Sequence, residues 1–172
     1  MTRLLLLLAL VGVTGCGYRF TAPGGPLPGG IRAVQAPVFA NVTPEPSAET
    51  YFTQALREQL IRAGTLGGGA APARIEGTVL AVTSVPMLAT PTAPGQVPRP
   101  TYRLTATVLL KLVKDGAVLA QAQVSGEEDV LSGTGATSDR VIVDSEANRQ
   151  AGLRRLAESL MREGYERLCT GW

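Results

Sequence analysis

Histidine is absent from all 172 residues. That removes the commonest general base and the commonest metal ligand, and with them histidine-dependent triads and most zinc sites. Cysteine occurs twice, at Cys16 and Cys169, so no more than one intrachain disulfide is possible. Charged residues make up 17% and the net charge is only +2, with the cations scattered along the chain. Nucleic acid is therefore not an expected partner, because phosphate-backbone binding needs clustered cations. The acidic run Glu127-Glu128-Asp129 lacks the spacing of a calcium loop and reads as a solvated strand end. Gly133-Thr134-Gly135 has no lysine after it and is no phosphate loop. No serine has a base candidate beside it. The chain is read as having no catalytic residue, no metal and no cofactor.

What the sequence does have begins at its start. Arg3 precedes an apolar run from Leu4 to Val13, followed by Thr14-Gly15-Cys16. Charge, apolar stretch and small residues in that order are the pattern of an export signal. The run is too short to span a bilayer, which needs about 20 residues. Val13-Thr14-Gly15-Cys16 resembles a bacterial lipobox, which implies cleavage before Cys16 and lipidation of its sulfur and amine with diacylglycerol and an acyl chain such as palmitate. One acyl chain holds a protein only reversibly, whereas two or more anchor it stably. The lipoprotein resemblance, with Gly17 and not Asp after the cysteine, implies the periplasmic face of the outer membrane. Cys169 is then left as a lone thiol, read as a small packed residue and not as a nucleophile. The expected organisation is a signal over residues 1–15, a lipid anchor and extended lead-in over 16–30, and one domain over 31–169 containing a Pro-rich loop at 86–100.

Periodicity gives the elements of that domain. Residues 31–39 read as a strand interrupted by Pro37. Phe52, Ala55, Leu56 and Leu60 recur at helical spacing within residues 44–64, with Ser47 as a candidate cap and Gly64 in the C′ role. Residues 67–72 read as a flexible link. Residues 73–85 alternate imperfectly, with Ile75, Val79 and Ala81 on one face. Tyr102, Leu104, Ala106, Val108, Leu110 and Leu112 alternate cleanly. Around Lys114-Asp115-Gly116, a two-residue loop would pair Leu110 with Gln121 and Val108 with Gln123. A three-residue loop would pair Leu112 with Val118, Leu110 with Ala120, Val108 with Ala122 and Ala106 with Val124. Only the latter matches apolar with apolar, so a three-residue loop with a bulge is expected. Residues 131–140 read as a polar loop. Residues 145–169 read as an amphipathic helix capped near Asp144 or Ser145, with Leu153, Leu156, Ala157, Leu160 and Leu168 as its stripe. The expected fold is α+β, a two-layer sandwich with an about four-stranded mixed sheet and both helices on one face. The other face, with Thr105, Thr107 and Lys111, is left to water or a partner.

Two phrases carry a family resemblance. Cys16 is followed at once by Gly17-Tyr18-Arg19-Phe20, and 38-VFANVTPEPSAE-49 contains Phe39-x-Asn41-x-Thr43-x-x-Pro46. With Leu27-Pro28, Ile31, the helix ending at Gly64, Ile75-Glu76-Gly77 and the strand headed by Tyr102, the chain resembles the LptE lipopolysaccharide-assembly lipoproteins. The resemblance implies a non-enzymatic protein inside the outer-membrane β-barrel LptD, where it helps assemble the barrel and passes lipopolysaccharide to the cell surface. Arg99 and Arg103 beside the Pro-rich loop, and Lys111 and Lys114 along the hairpin, are the candidate contacts to lipid A phosphates or acidic barrel residues. Solvated surface charge is the plainer reading of all four. Residues 37–64 also suit lipoproteins of the curli-secretion type, which oligomerise into pores.

Overall fold

The computed structural model describes residues 26–87, 101–132 and 138–170. The signal at 1–15, Cys16, Arg99 and most of the Pro-rich loop lie outside the described residues.

Two helices and a mixed five-stranded sheet make an α+β domain. The strand expected over 31–39 is two short strands, β1 (Val34–Gln35) and β2 (Ala40–Asn41), divided by a segment containing Pro37. Both run parallel to β3 (Ala73–Met87) and share its outer edge. They make the sheet five-stranded where about four strands were expected, and the two-helix α+β layout is as expected. Arg57 holds the break between them by donating from Nε and Nη2 to the Ala36 carbonyl, at 3.0 and 2.8 Å.

Helix α1 (Ala48–Arg62) buries Phe52, Ala55, Leu56 and Leu60. It ends as expected: Gly64 has φ 67°, and the Thr65 and Leu66 amides fold back to the Leu60 carbonyl. Its start differs. Ser47 makes no side-chain cap and has φ 61°. Only its carbonyl is used, accepting from the Thr50 and Tyr51 amides. The polar groups at this end are organised instead by Asn41, described below. Residues 67–72 are no free link. Gly67 donates to the Val34 carbonyl at 2.8 Å, and Gln35 Nε2 donates to the carbonyls of Gly69 and Ala71.

β3, β4 (Thr101–Lys114) and β5 (Ala117–Leu131) form an antiparallel meander. The imperfect alternation of β3 has a physical cause in a bulge at Leu80. Ile75 and Val79 face the core before it, while after it Val82 packs against the core and Ala81 is exposed, correcting the face expected for Ala81. The hairpin between β4 and β5 also corrects the sequence reading. Asp115 and Gly116 have φ 51° and 79°, a two-residue type I′ turn that pairs Lys114 with Ala117. A bulge at Leu119 then shifts the register, so Leu112 meets Ala120, Leu110 meets Ala122 and Val108 meets Val124. Apolar still faces apolar, but every partner lies two residues beyond the one expected.

Helix α2 (Ser138–Thr170) starts earlier than expected and takes the end of the supposed loop at 131–140. The consecutive Val141-Ile142-Val143 has no helical spacing, and Ile142 and Val143 are exposed, so no apolar stripe announced this turn. Downstream the stripe is as expected, with Met161 and Tyr165 added to the core. Two helix glycines set its distance from the sheet. A Cβ on Gly152 would lie 2.4 Å from Val130, and one on Gly164 would lie 2.5 Å from Leu110. Both helices cover the face bearing Leu104 to Leu112. Among the described residues, nothing covers the face bearing Arg103, Thr105, Thr107 and Lys111.

Candidate functional site

The four candidate cations do not form one site. Arg99 lies outside the described residues. Arg103 is engaged on the open face: Nε and Nη2 grip the Asp129 carboxylate at 2.7 and 2.9 Å, and Nη1 is 3.3 Å from Glu127. The hydrogen bond from Arg103 holds the Asp129 carboxyl below its ordinary value. Lys111 lies eight residues along β4, about 27 Å away at ~3.4 Å per residue. Lys114 sits at the turn and, by strand alternation, on the other face. Neither lysine has an ion-pair partner among the described residues. The acidic run is divided by the same alternation. Glu127 and Asp129 meet Arg103, while Glu128 meets Arg155 of α2 at 2.6 Å.

The motif phrase at residues 39–46 is a polar hub. Asn41 Oδ1 accepts from the Thr43 amide at 2.9 Å and from the Thr43 hydroxyl at 2.7 Å. Asn41 Nδ2 donates to the Glu45 carbonyl and to Glu49 Oε2, both at 2.9 Å. The Phe39 amide donates to Thr53 Oγ1 at 3.0 Å, and the Thr53 hydroxyl donates to the Glu49 carbonyl. The Glu45 carboxylate then pairs with Arg149 of α2, which is also held by Glu146. The phrase thus ties β2 to both helices. Asn41→Ala removes four hydrogen bonds and is expected to cost about 2–3 kcal/mol, read by denaturant unfolding. Asn41→Asp keeps one acceptor but sets a carboxylate against Glu49. It is expected to be worse than alanine at pH 7 and to recover in acid.

Acid weakens the same network. The Arg149 guanidinium holds the Glu146 carboxyl below its ordinary value. A depressed carboxyl contributes stability that is complete above its unfolded value of about 4.3 and is lost as pH falls through its lower folded value. Thermal unfolding across pH 6 to 3 should show the loss, and Arg149→Met should flatten that slope.

Between the far end of the sheet and the start of α2 lies a trough of about 430 Å³. Ser84, Tyr102, Val130, Leu131, Ile142 and Ser145 supply its walls, with Glu146 and Arg149 as a charged pair within them. Arg149 is bound by the Glu45 and Glu146 carboxylates, so no cation is left to hold an anion, and the remaining walls are mostly apolar. Sequence reasoning missed it. Tyr102 headed a clean strand, but Ile142 gave no signal, and Arg149 is joined to Glu45 across more than a hundred residues. At the other end of α2, burial pushes the Cys169 thiol up, keeping it protonated and poorly nucleophilic. No described group of residues could hold a metal ion.

The LptE family model, described as lipopolysaccharide-assembly, matches residues 31–168. No curated protein sequence matches the chain. Solved structures are similar to the chain at low identity. A putative lipoprotein from Caulobacter crescentus is 15% identical over 77% of this chain and 89% of its own, with TM-score 0.50. A hypothetical protein from Chlamydia trachomatis is 11% identical over 81% and 96%, with TM-score 0.51. The rare lipoprotein B from Shewanella oneidensis is 12% identical over 74% and 93%, with TM-score 0.42.

Proposed function

The chain belongs to the LptE lipopolysaccharide-assembly family, and from that premise we propose that it is a lipid-anchored subunit of an outer-membrane LptD-type barrel. There it assists folding of the barrel and the insertion of lipopolysaccharide into the outer leaflet. The family is a non-enzymatic lipoprotein family, and the protein acts by binding. The observation that carries the reading is the family match over residues 31–168, within which the Phe39-Asn41-Thr43 phrase builds the hub joining β2 to both helices. Cys16 is the lipidated residue of the proposal, and residues 16–30 are its anchor and lead-in, of which Leu27 is already packed into the core.

Among the four candidate cations, Lys111 and Lys114 are better placed than Arg103 to meet phosphate groups, because Arg103 already holds two carboxylates. Arg99 stays in the proposal from its place beside the Pro-rich loop. The family match favours this reading over a pore-forming oligomer of the curli-secretion type.

Purification from outer membrane in mild detergent should recover a large barrel with the chain in 1:1 ratio. Depletion should lower surface lipopolysaccharide. A chain recovered alone, with unchanged surface lipopolysaccharide, overturns the proposal. A ring of many identical chains by native mass measurement would restore the oligomer.

A further inference from the structure

The two outer edges of the sheet differ in kind. Along β5, Arg167 donates to the Gln123 carbonyl at 2.9 Å and Asn148 donates to the Leu131 carbonyl at 3.1 Å. Both carbonyls belong to odd-numbered residues. On β5, then, odd-numbered peptide groups face outward and even-numbered ones bond β4. Side chains of α2 occupy this edge at both places, and Glu127 and Asp129 add charge between them, a combination that discourages strand addition.

The same alternation, carried across the sheet, settles the opposite edge. Thr105 of β4 pairs with Thr83 of β3, so the odd-numbered groups of β3 bond β4 beyond the Leu80 bulge. Val82, Ser84 and Pro86 therefore direct their backbone groups outward. Upstream of the bulge the parity must be reversed, and there the Val42 amide does bond the Val79 carbonyl, at 3.2 Å. β2 leaves this lane at Asn41. No described residue bonds the outward peptide groups of Val82 or Ser84. From Leu80 to Met87 no side chain is charged, and all but Val82 are exposed.

We propose that this lane, unpaired among the described residues, accepts an extended segment of a partner protein as an added strand. A free backbone edge is satisfied best by another backbone, with side-chain pockets supplying the selectivity. The trough stands where such a pocket is needed. Ser84 belongs both to the open edge and to the trough wall, so alternate side chains of the added strand would lie over Tyr102, Val130 and Ile142. Arg149 is held by Glu45 and by Glu146, itself in the trough wall, so no cation is left for an acidic segment, and the segment carries an apolar residue and no carboxylate at the alternate positions that meet the trough. Two copies pairing these edges would engage eight residues each, against about 20–30 a side in a stable interface, which disfavours self-pairing. The inference rests on the barrel reading only for the identity of the partner.

The test is amide hydrogen exchange on the full-length chain, alone and with the protein recovered with it from its own outer membrane. Exchange at Val82 and Ser84 should slow by at least about ten-fold in the complex. Ser84→Pro removes the outward donor and spares the bonds to β4, so the fold should survive while recovery of that partner drops about ten-fold. Ser84→Lys, which adds charge at the trough, should act alike. Unchanged exchange in the complex, or wild-type recovery with both variants, overturns the inference and leaves a barrel partnership intact if a barrel is recovered. Protection by a partner that is not a barrel supports the inference and sinks the barrel reading. Protection through a second copy of this chain overturns the inference, and recovery of no protein overturns both.

Discussion

Gly77→Ala is expected to lower stability by about 3 kcal/mol, or roughly 10 °C in Tm for a domain of this size. An added Cβ would fall 2.3 to 2.4 Å from three atoms of the Phe39 ring. The ring is 4% exposed and lies across β3 where that strand has no side chain. It cannot slide aside, because the Phe39 amide is fixed to Thr53 and the Ala36 carbonyl to Arg57. The ring must then leave, and a buried phenylalanine is worth about 3–5 kcal/mol by truncation. The disturbance reaches Asn41 two residues on, so the loop tying β2 to α2 should loosen as well. Denaturant unfolding measures the loss, and Phe39→Leu in the Gly77→Ala background should recover part of it with a coupling of about 1 kcal/mol or more. A loss under about 1 kcal/mol for Gly77→Ala would show that the ring is not wedged there.

Exporting residues 17–172 behind a general cleavable signal, in place of residues 1–16, is expected to move the protein from the outer membrane to the soluble periplasm in cells lacking the barrel. No helix among the described residues is long and apolar enough to cross a membrane. In the proposed function attachment depends on acyl chains, each buried CH₂ contributing about 0.8 kcal/mol. Two or more chains make the step from marginal to stable anchoring, so the change in fractionation should be close to complete. The intact mass of the wild-type chain should show Cys16 as the first residue, carrying diacylglycerol and an acyl group. An unmodified Cys16, or unaltered membrane fractionation of the re-exported chain, removes the lipid anchor from the proposed function.

The hairpin shows how far pattern reading reaches. The alternation from Tyr102 to Leu112 places one set of residues on the buried face, and any register whose paired residue numbers sum to an even value keeps apolar against apolar. The expected register and the observed one both meet that condition, two residues apart. Choosing between them required the φ values of Asp115 and Gly116 and the bulge at Leu119, which a two-fold pattern does not contain. β3 is similar: imperfect alternation was visible, but the place where it reverses was not. Gly152 and Gly164 look like weak points of a helix, each costing about 1 kcal/mol against alanine, until Val130 and Leu110 are found pressed against them.

By itself the sequence determined the main elements and their order, the apolar faces of β4 and the two helices, the absence of histidine chemistry and the two phrases of the LptE family. These follow from local spacing and residue type, which the chain carries whether folded or not. The tertiary structure alone decided that Asn41 is a hub, that Arg103 and Arg149 are already paired, and that, among the described residues, Lys111 and Lys114 are not and one sheet edge is covered while the other is unpaired. Each of those depends on neighbours brought together from distant parts of the chain, as when Glu45 meets Arg149 or Gln123 meets Arg167. A side chain's type states what it can bind, and only its folded surroundings state whether that capacity has been used.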